Sequence, residues 1–295
     1  MSTAPGRPRK VNLMVKESET FTNNQIVING EPYNADGYFQ YHRRRIEATL
    51  GKLREIGARR LVEVGGHPWM MTSAFIEAPE FEVCASVSAE EATDWPDDIG
   101  VTATRQSIRT PRGVEASFVN YSANVERTLF DIEERPDTVV ACEIIEHLTR
   151  SPHIMLLNIN RWLPAGGKLF MTTPNGAQFS NPLRRQTPTP AYRCNTYERH
   201  AYLFTMAGLL DLVGLCGFKI AEAGYWDVVE RRGPSSVYGL LSKIPSSYFR
   251  EKFKKTLYVV AEKEKDVTTL ERCPSVYDPR GDWEWVSGGA PGRAV

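Results

Sequence analysis

The chain has 295 residues, 41% of them hydrophobic and 24% charged, which is enough apolar material for a substantial core. Its 36 Lys and Arg balance 36 Asp and Glu, so the formal net charge is zero. That balance argues against a nucleic-acid partner, which a basic excess normally marks. No apolar stretch is long enough for a membrane span.

Basic residues come as scattered doublets with one longer run at residues 43–45, and all of these read as solvated helix faces. Cys84, Cys142, Cys194, Cys216 and Cys273 have neither close pairing nor metal-type spacing. Their odd number, and the lack of an apolar signal segment at the start, lead to the expectation of a reducing cytoplasm. A homo-oligomer is compatible with this composition.

Residues 1–24 are expected to form a flexible N-terminal segment, its first ten rich in Pro, Arg and small residues. Residues 25–265 read as a single domain and 266–295 as a C-terminal tail that carries Trp283 and Trp285. The domain opens with a short hairpin around Asn29-Gly30. A helix is predicted over residues 37–57, with Phe39, Ile46, Leu50 and Leu53 on one face and Gly57 closing it. Strands follow at residues 60–64, 82–87, 116–119, 138–142 and 168–172, with helices near 70–78, 153–163 and 205–216. Residues 218–223 and 256–262 read as two closing strands, while 176–199 and 231–250 read as irregular excursions. This alternation predicts an α/β fold, a doubly wound, mainly parallel, seven-stranded Rossmann-like sheet with helices on both faces.

Such sheets bind ligands beyond the carboxyl ends of their strands. The first of these strands ends in Glu63-Val64-Gly65-Gly66, a carboxylate beside a turn that only glycines make tightly. The fourth reads Asp137 through Cys142, then Glu143-Ile-Ile-Glu146-His147-Leu148. A helix later comes Leu163-Pro-Ala-Gly-Gly167, and after the next strand Thr172-Thr-Pro-Asn175.

This ordered series resembles the central signature of class I S-adenosylmethionine-dependent methyltransferases. Asn124-Val125-Glu126 with Leu129-Phe130, and Arg199-His200 with Phe204-Thr205, resemble segments of the group found with polysaccharide biosynthesis enzymes. The resemblance covers roughly residues 37–262. It implies that S-adenosyl-L-methionine is bound by Glu63, Gly65, Gly66, Ser86, Asn124 and Glu143. Ser86 stands where the family usually has an acid for the ribose, and Trp69 follows Pro68 where it usually has a third loop glycine.

The resemblance further implies O-methylation of a saccharide or similar small hydroxyl compound. His147 is the candidate catalytic base beside Glu146, its competing role being a helix-start histidine bonded to the backbone. Glu143, Glu146, His147 and His200 together resemble the metal set of plant small-RNA 2′-O-methyltransferases, and suit Mg²⁺ or Mn²⁺. Asn175, Tyr192, Arg193 and His200 are candidate substrate contacts. Tyr38, Tyr41 and His42 are candidates to cap the cofactor from the first helix. Two alternatives stay open: an RNA 2′-O-methyltransferase, and a methyltransferase-like protein without catalytic activity, the latter motivated by the altered loop and the missing acid.

Overall fold

A computed structural model describes residues 25–88, 100–148, 151–177, 191–195, 200–226, 254–272 and 274, with residues 191–195 and 201 described in backbone only. The expected N-terminal segment 1–24, most of both excursions and Trp283 and Trp285 lie outside the described residues.

The chain is of the doubly wound α/β class. The strands are β1 (Gln25–Ile28), β2 (Glu31–Asn34), β3 (Arg60–Val64), β4 (Glu82–Ser88), β5 (Thr102–Arg109), β6 (Glu115–Ser122), β7 (Thr138–Cys142), β8 (Lys168–Pro174), β9 (Ala191–Asn195), β10 (His200–Leu203), β11 (Phe218–Trp226) and β12 (Thr256–Lys263). The helices are α1 (Asp36–Glu55), α2 (Met70–Glu77), α3 (Pro152–Trp162) and α4 (Met206–Leu215), with a 3₁₀ turn at Ile145–His147.

One sheet runs in the order β11-β12-β8-β7-β3-β4-β6-β5-β1-β2. The strands β8, β7, β3, β4 and β6 are mutually parallel, and β12 and β11 close that side antiparallel to their neighbours. These are the seven strands predicted for the sheet, and they are contiguous; the predicted hairpin is present as β1 and β2. The sheet nevertheless has ten strands, because β5, β1 and β2 extend it antiparallel beyond β6, and β9 pairs with β10 separately. After β3 the chain moves outward through β4 and β6, then returns to lay β7 on the other side of β3. The order of winding therefore reverses between β3 and β7, where a crevice at the carboxyl ends is the general ligand position of such sheets.

Successive residues of a strand point to opposite faces, and the two cores follow that rule. Val62, Val64, Val139, Ala141, Leu169 and Met171 pack with Met155, Leu156 and Ile159 of α3 and Leu209, Leu212 and Val213 of α4. Leu61, Val140 and Phe170 face the other way, onto Ile46 and Leu53 of α1 and Met71 and Phe75 of α2. Phe39 and Leu50 are partly buried there, as the predicted apolar face requires. Alternation also sends Glu63, Ser86 and Cys142 to the α1/α2 side.

Thr205 caps α4 by accepting from the Gly208 N–H at 3.2 Å. Val267 and Leu270, beyond the expected boundary at 265, pack with the α3/α4 core. Among the described residues no helix is long and apolar enough to cross a membrane. Cys84, Cys142 and Cys216 are free thiols.

Asn160 of α3 ties that core to the chain after β12. Its amide donates to the carbonyls of Cys216 (3.0 Å) and Lys265 (2.9 Å) and accepts from the Val267 N–H at 3.2 Å. Asn160 is buried, so Asn160→Ala strands backbone groups away from water. We expect a loss of about 2–4 kcal/mol in urea-denaturation stability with an unchanged m-value.

Candidate functional site

The first loop is crowded by the chain's own side chains. Gly65 has φ +79°, and a Cβ there would come within 2.8 Å of Ile144 Cδ1. A Cβ on Gly66 would approach Ser86 Oγ to 2.5 Å and Glu63 Oε2 to 3.1 Å. Trp69 adopts the left-handed conformation (φ 60°) at the start of α2, and its indole N–H donates to Ser86 Oγ at 3.3 Å. Trp69 and Ser86 are both buried. The serine proposed for a ribose thus lies beneath an indole, and a ligand meets it only if that ring moves. Trp69 packs edge-on against Phe118 and His67. Sequence marked its bulk but not its position as a cover.

Glu63 is buried and accepts a hydrogen bond from the Thr72 hydroxyl of α2. Burial outweighs both Thr72 and the neighbouring Arg45, and lifts its carboxyl from the ordinary 4.5 to about 7.

Arg45 corrects the reading of residues 43–45 as a solvated face. Arg43 and Arg44 are exposed, but the Arg45 side chain is only 12% exposed and turns in toward the sheet. Its Nη2 donates to the Tyr38 hydroxyl at 3.0 Å, and Nη1 stands 3.8 Å from Glu143 Oε2. Burial opposes the guanidinium's charge, but the acidic groups of Tyr38, Glu143 and Cys142 outweigh it and raise its pKa. Of the proposed capping residues, Tyr38 is partly buried in this cluster with its ring 4.4 Å from that of His42. Tyr41 is exposed. Burial, then Arg45, lowers His42 to about 4, so it is neutral at physiological pH.

The four proposed metal ligands divide. Thr172 and Thr173 are consecutive in β8 and point to opposite faces, and each fixes one carboxylate. Thr172 Oγ1 donates to Glu143 Oε1 at 2.8 Å, on the α1 side. Thr173 Oγ1 donates to Glu146 Oε2 at 3.0 Å, on the α3 side. Glu143 takes a left-handed backbone (φ 55°), uncommon outside glycine and suited to a functional position.

Glu146, His147 and His200 come together, with one ligand atom of each within 4.8 Å of the others. The 3₁₀ turn supplies the first two and β10 the third. Strand β10 is seated by Tyr202 and Phe204, both fully buried and stacked 5.7 Å apart. The His147 and His200 rings are 4.8 Å apart, and His147 Nε2 is 4.0 Å from Glu146 Oε1. Glu146 Oε1 is buried with no hydrogen-bond partner among the described residues. Burial, reinforced by Glu143, pushes this carboxyl well above the ordinary carboxylate range. A buried carboxylate oxygen in that state calls for a proton or a cation.

Two other proposed contacts are engaged with backbone. The Asn124 side chain accepts from the Glu126 N–H at 3.1 Å and shapes the turn after β6. The buried Asn175 donates to the Lys254 carbonyl at 2.9 Å and accepts from the Ala177 N–H at 3.0 Å, joining β8 to the segment before β12. Tyr192 and Arg193 lie in β9, and their side chains are outside the described residues.

No family model matches the chain, and no curated protein matches it in sequence. Solved structures do. An S-adenosylmethionine-dependent methyltransferase from Clostridium acetobutylicum is 8% identical with a TM-score of 0.49, over 78% of this chain and 98% of that one. A Haloferax volcanii protein assigned as a methyltransferase, in complex with the activator Trm112, is 12% identical with a TM-score of 0.49, over 78% and 93%. The N-methyltransferase NodS of Bradyrhizobium japonicum, with S-adenosylhomocysteine bound, is 12% identical with a TM-score of 0.42, over 76% and 87%. With TM-scores below 0.5, none of them bears on activity or substrate, for which this chain's own residues are the guide.

Two outcomes follow from the loop and Glu63. Gly65→Ala meets both an unfavourable φ and Ile144, and should lower stability by about 1–3 kcal/mol in chemical denaturation. Because Glu63 keeps its proton in the folded chain where the unfolded chain releases it, its contribution is complete below 4.5 and is lost as pH rises to about 7. Denaturation across that window should show stability falling by about 3 kcal/mol from this group, and Glu63→Gln should remove that part of the slope.

Proposed function

We propose that this chain is an S-adenosylmethionine-dependent methyltransferase that methylates a hydroxyl of a saccharide or similar small molecule. The observation that carries this reading is the convergence of Glu146, His147 and His200 beside the crevice between β3 and β7, with Glu146 Oε1 buried and unmet. The sequence signature from residues 137 to 175 supplies the cofactor side of the reading.

S-adenosylmethionine bound at the crevice would supply a methyl on a sulfonium sulfur, transferred in line to the acceptor oxygen as the thioether departs. Glu63 and Glu143 border that position from the ends of β3 and β7. A sugar hydroxyl must give up its proton as the new bond forms, and the enzyme's main tasks are alignment and proton removal. His147, 40% exposed, can reach a substrate while its Nε2 stays 4.0 Å from the unmet Glu146 Oε1, which can share the proton that leaves the hydroxyl. His200, carried on β10, packs edge-on against the His147 ring at 4.8 Å.

The same three residues fit a divalent ion: one unmet carboxylate oxygen and two imidazoles suit Mn²⁺ or a similar metal. Ligand bonds of ~2.0–2.2 Å span at most ~4.4 Å, so the group would draw in by a few tenths of an ångström from its 4.8 Å spread. Such an ion would lower the hydroxyl's pKa.

A second reading, a methyltransferase-like chain that no longer binds cofactor, draws on Trp69 covering Ser86. Calorimetry with S-adenosylhomocysteine decides between the two: we expect binding, and no heat at millimolar ligand would discard the enzyme reading. For the metal, we expect Mn²⁺ titration followed by electron paramagnetic resonance to show a bound ion that Glu146→Gln removes. A folded wild-type chain that leaves all Mn²⁺ free would reduce the mechanism to His147 alone.

A further inference from the structure

Beside α2, helix α1 borders an open groove. Phe39 and Leu50 of α1, Ala74 of α2 and Pro111 of the β5–β6 turn, all only partly buried, line a cavity of about 730 Å³. That lies within the range of ligand cavities, about 300–1,000 Å³. Apolar surface of this kind gains from being covered. One end of the groove is fastened: the Arg112 N–H donates to Glu77 Oε1 at 3.0 Å and holds the turn to α2. The rim carries Arg43, Arg54 and Arg112 against Glu47 and Glu77, a surplus of one positive charge. In their ion pairs with Glu47 and Glu77, the Arg43 and Arg112 side chains stay 74% and 79% exposed, so both can meet a further anion.

The place where the chain enters this region selects the occupant. Strand β1 runs antiparallel to β5, with Val27 opposite Arg109 and Ile28 opposite Ile108. Two residues back in that register, Gln25 is level with Pro111, at the mouth of the groove. Ile26 is fully buried in a cluster that Phe39 joins, so β1 is anchored against the same helix. The residues before Gln25 therefore enter the fold at the groove's own edge. An extended chain covers about 3.3–3.6 Å per residue, which puts Phe21 within about 14 Å of Gln25. The helix rises about 22 Å from Phe39 to Arg54, a length that residues 11–24 can span.

Their composition matches the groove. Val11, Leu13, Met14, Val15 and Phe21 supply apolar side chains, and Glu17 and Glu19 supply acids for the rim's surplus positive charge. Tethering also gives the segment an effective concentration in the millimolar range, which a second chain reaches only in concentrated protein. We propose that residues 11–24 lie in the groove between α1, α2 and the β5–β6 turn, with Phe21 on its apolar floor and Glu17 and Glu19 beside its arginines. The segment is then a strap across two helices and a turn that no strand pairing joins. It does not depend on any cofactor.

The test places a photoreactive side chain in the full chain as Phe21→p-benzoylphenylalanine, with peptide mass spectrometry after irradiation to locate the links. All its substitutions precede β1 and leave the three apolar cores untouched. We expect links within one chain to peptides carrying Leu50, Ala74 or Pro111. Mixing isotope-labelled with unlabelled chains separates these from links between chains. Glu17→Lys with Glu19→Lys should lower their yield about two- to fivefold, the factor of exposed ion pairs, while Ser18→Ala with Thr20→Ala should leave it unchanged. Links confined to peptides away from the groove, links only between chains, which would mark a second copy seated there, or no links overturn the proposal. A yield that survives both charge reversals overturns it as well, because a tethered segment that only brushes the groove would give that result.

Discussion

Three acidic side chains, Glu63, Glu143 and Glu146, converge at the carboxyl ends of β3 and β7, and one largely buried guanidinium, Arg45, stands among them. Carboxylates in such a place cannot all ionise without compensation, because removal from water disfavours the charged form. The chain meets this constraint in three ways. Glu63 is shifted toward its protonated form and bonded to Thr72. Glu143 keeps the company of Arg45 and Thr172. Glu146 is turned to the other face, where Thr173 and two histidines surround it. Residues of α1, of the 3₁₀ turn and of β10 all take part in meeting these charges.

The alternation of β8 makes the division possible. Thr172 and Thr173 are chemically almost the same, but neighbouring residues of a strand face opposite layers. One hydroxyl therefore draws Glu143 toward the α1 helix and the other draws Glu146 toward α3. A sequence motif of two glutamates separated by two residues suggests a single bidentate set. The fold instead builds two stations, one beside Arg45 and Thr172 and one beside Thr173 and the two histidines.

The seven strands predicted for the sheet were legible as short apolar runs between helix and turn signals, clearest in β3 and β7, which are buried along almost their whole length. Strand β5 was not, because six of its eight residues, the sequence TATRQSIR without Gln106 and Ile108, are exposed. Such a strand carries too few apolar residues to stand out from a loop. Strands β9 and β10 were hidden by brevity and by the Pro-rich stretch before them. The site was legible as a set of residue types, since Glu63, Glu146, His147 and His200 all lie where the strand ends bring them. Arg45 was missed because a run of three arginines looks like a solvated face. The signal was present in the spacing of Tyr38, His42, Arg45 and Thr49, a polar stripe that shares the inner side of α1 with Ile46 and Leu53. Sequence also could not show that Asn175 is occupied by backbone, since its bond to the Lys254 carbonyl joins segments far apart in the chain.

Trp69 joins the loop to the rest of the sheet. The antiparallel extension of β5, β1 and β2 needs an apolar partner for its inner face, and Trp69 supplies it in a cluster with Ile26, Ile108 and Phe118. An aromatic ring buries on the order of 150–250 Å², more than a loop glycine offers. The same ring lies over Ser86 and beside Gly66. Stability of the extension and access to the end of β4 are thus coupled through one side chain: an indole that swings away exposes Ser86 and uncovers Phe118 together. With that side of the crevice covered by Trp69, the open polar capacity lies on the opposite side, at Arg45 and Glu143, where the helix stripe meets the reversal of the sheet.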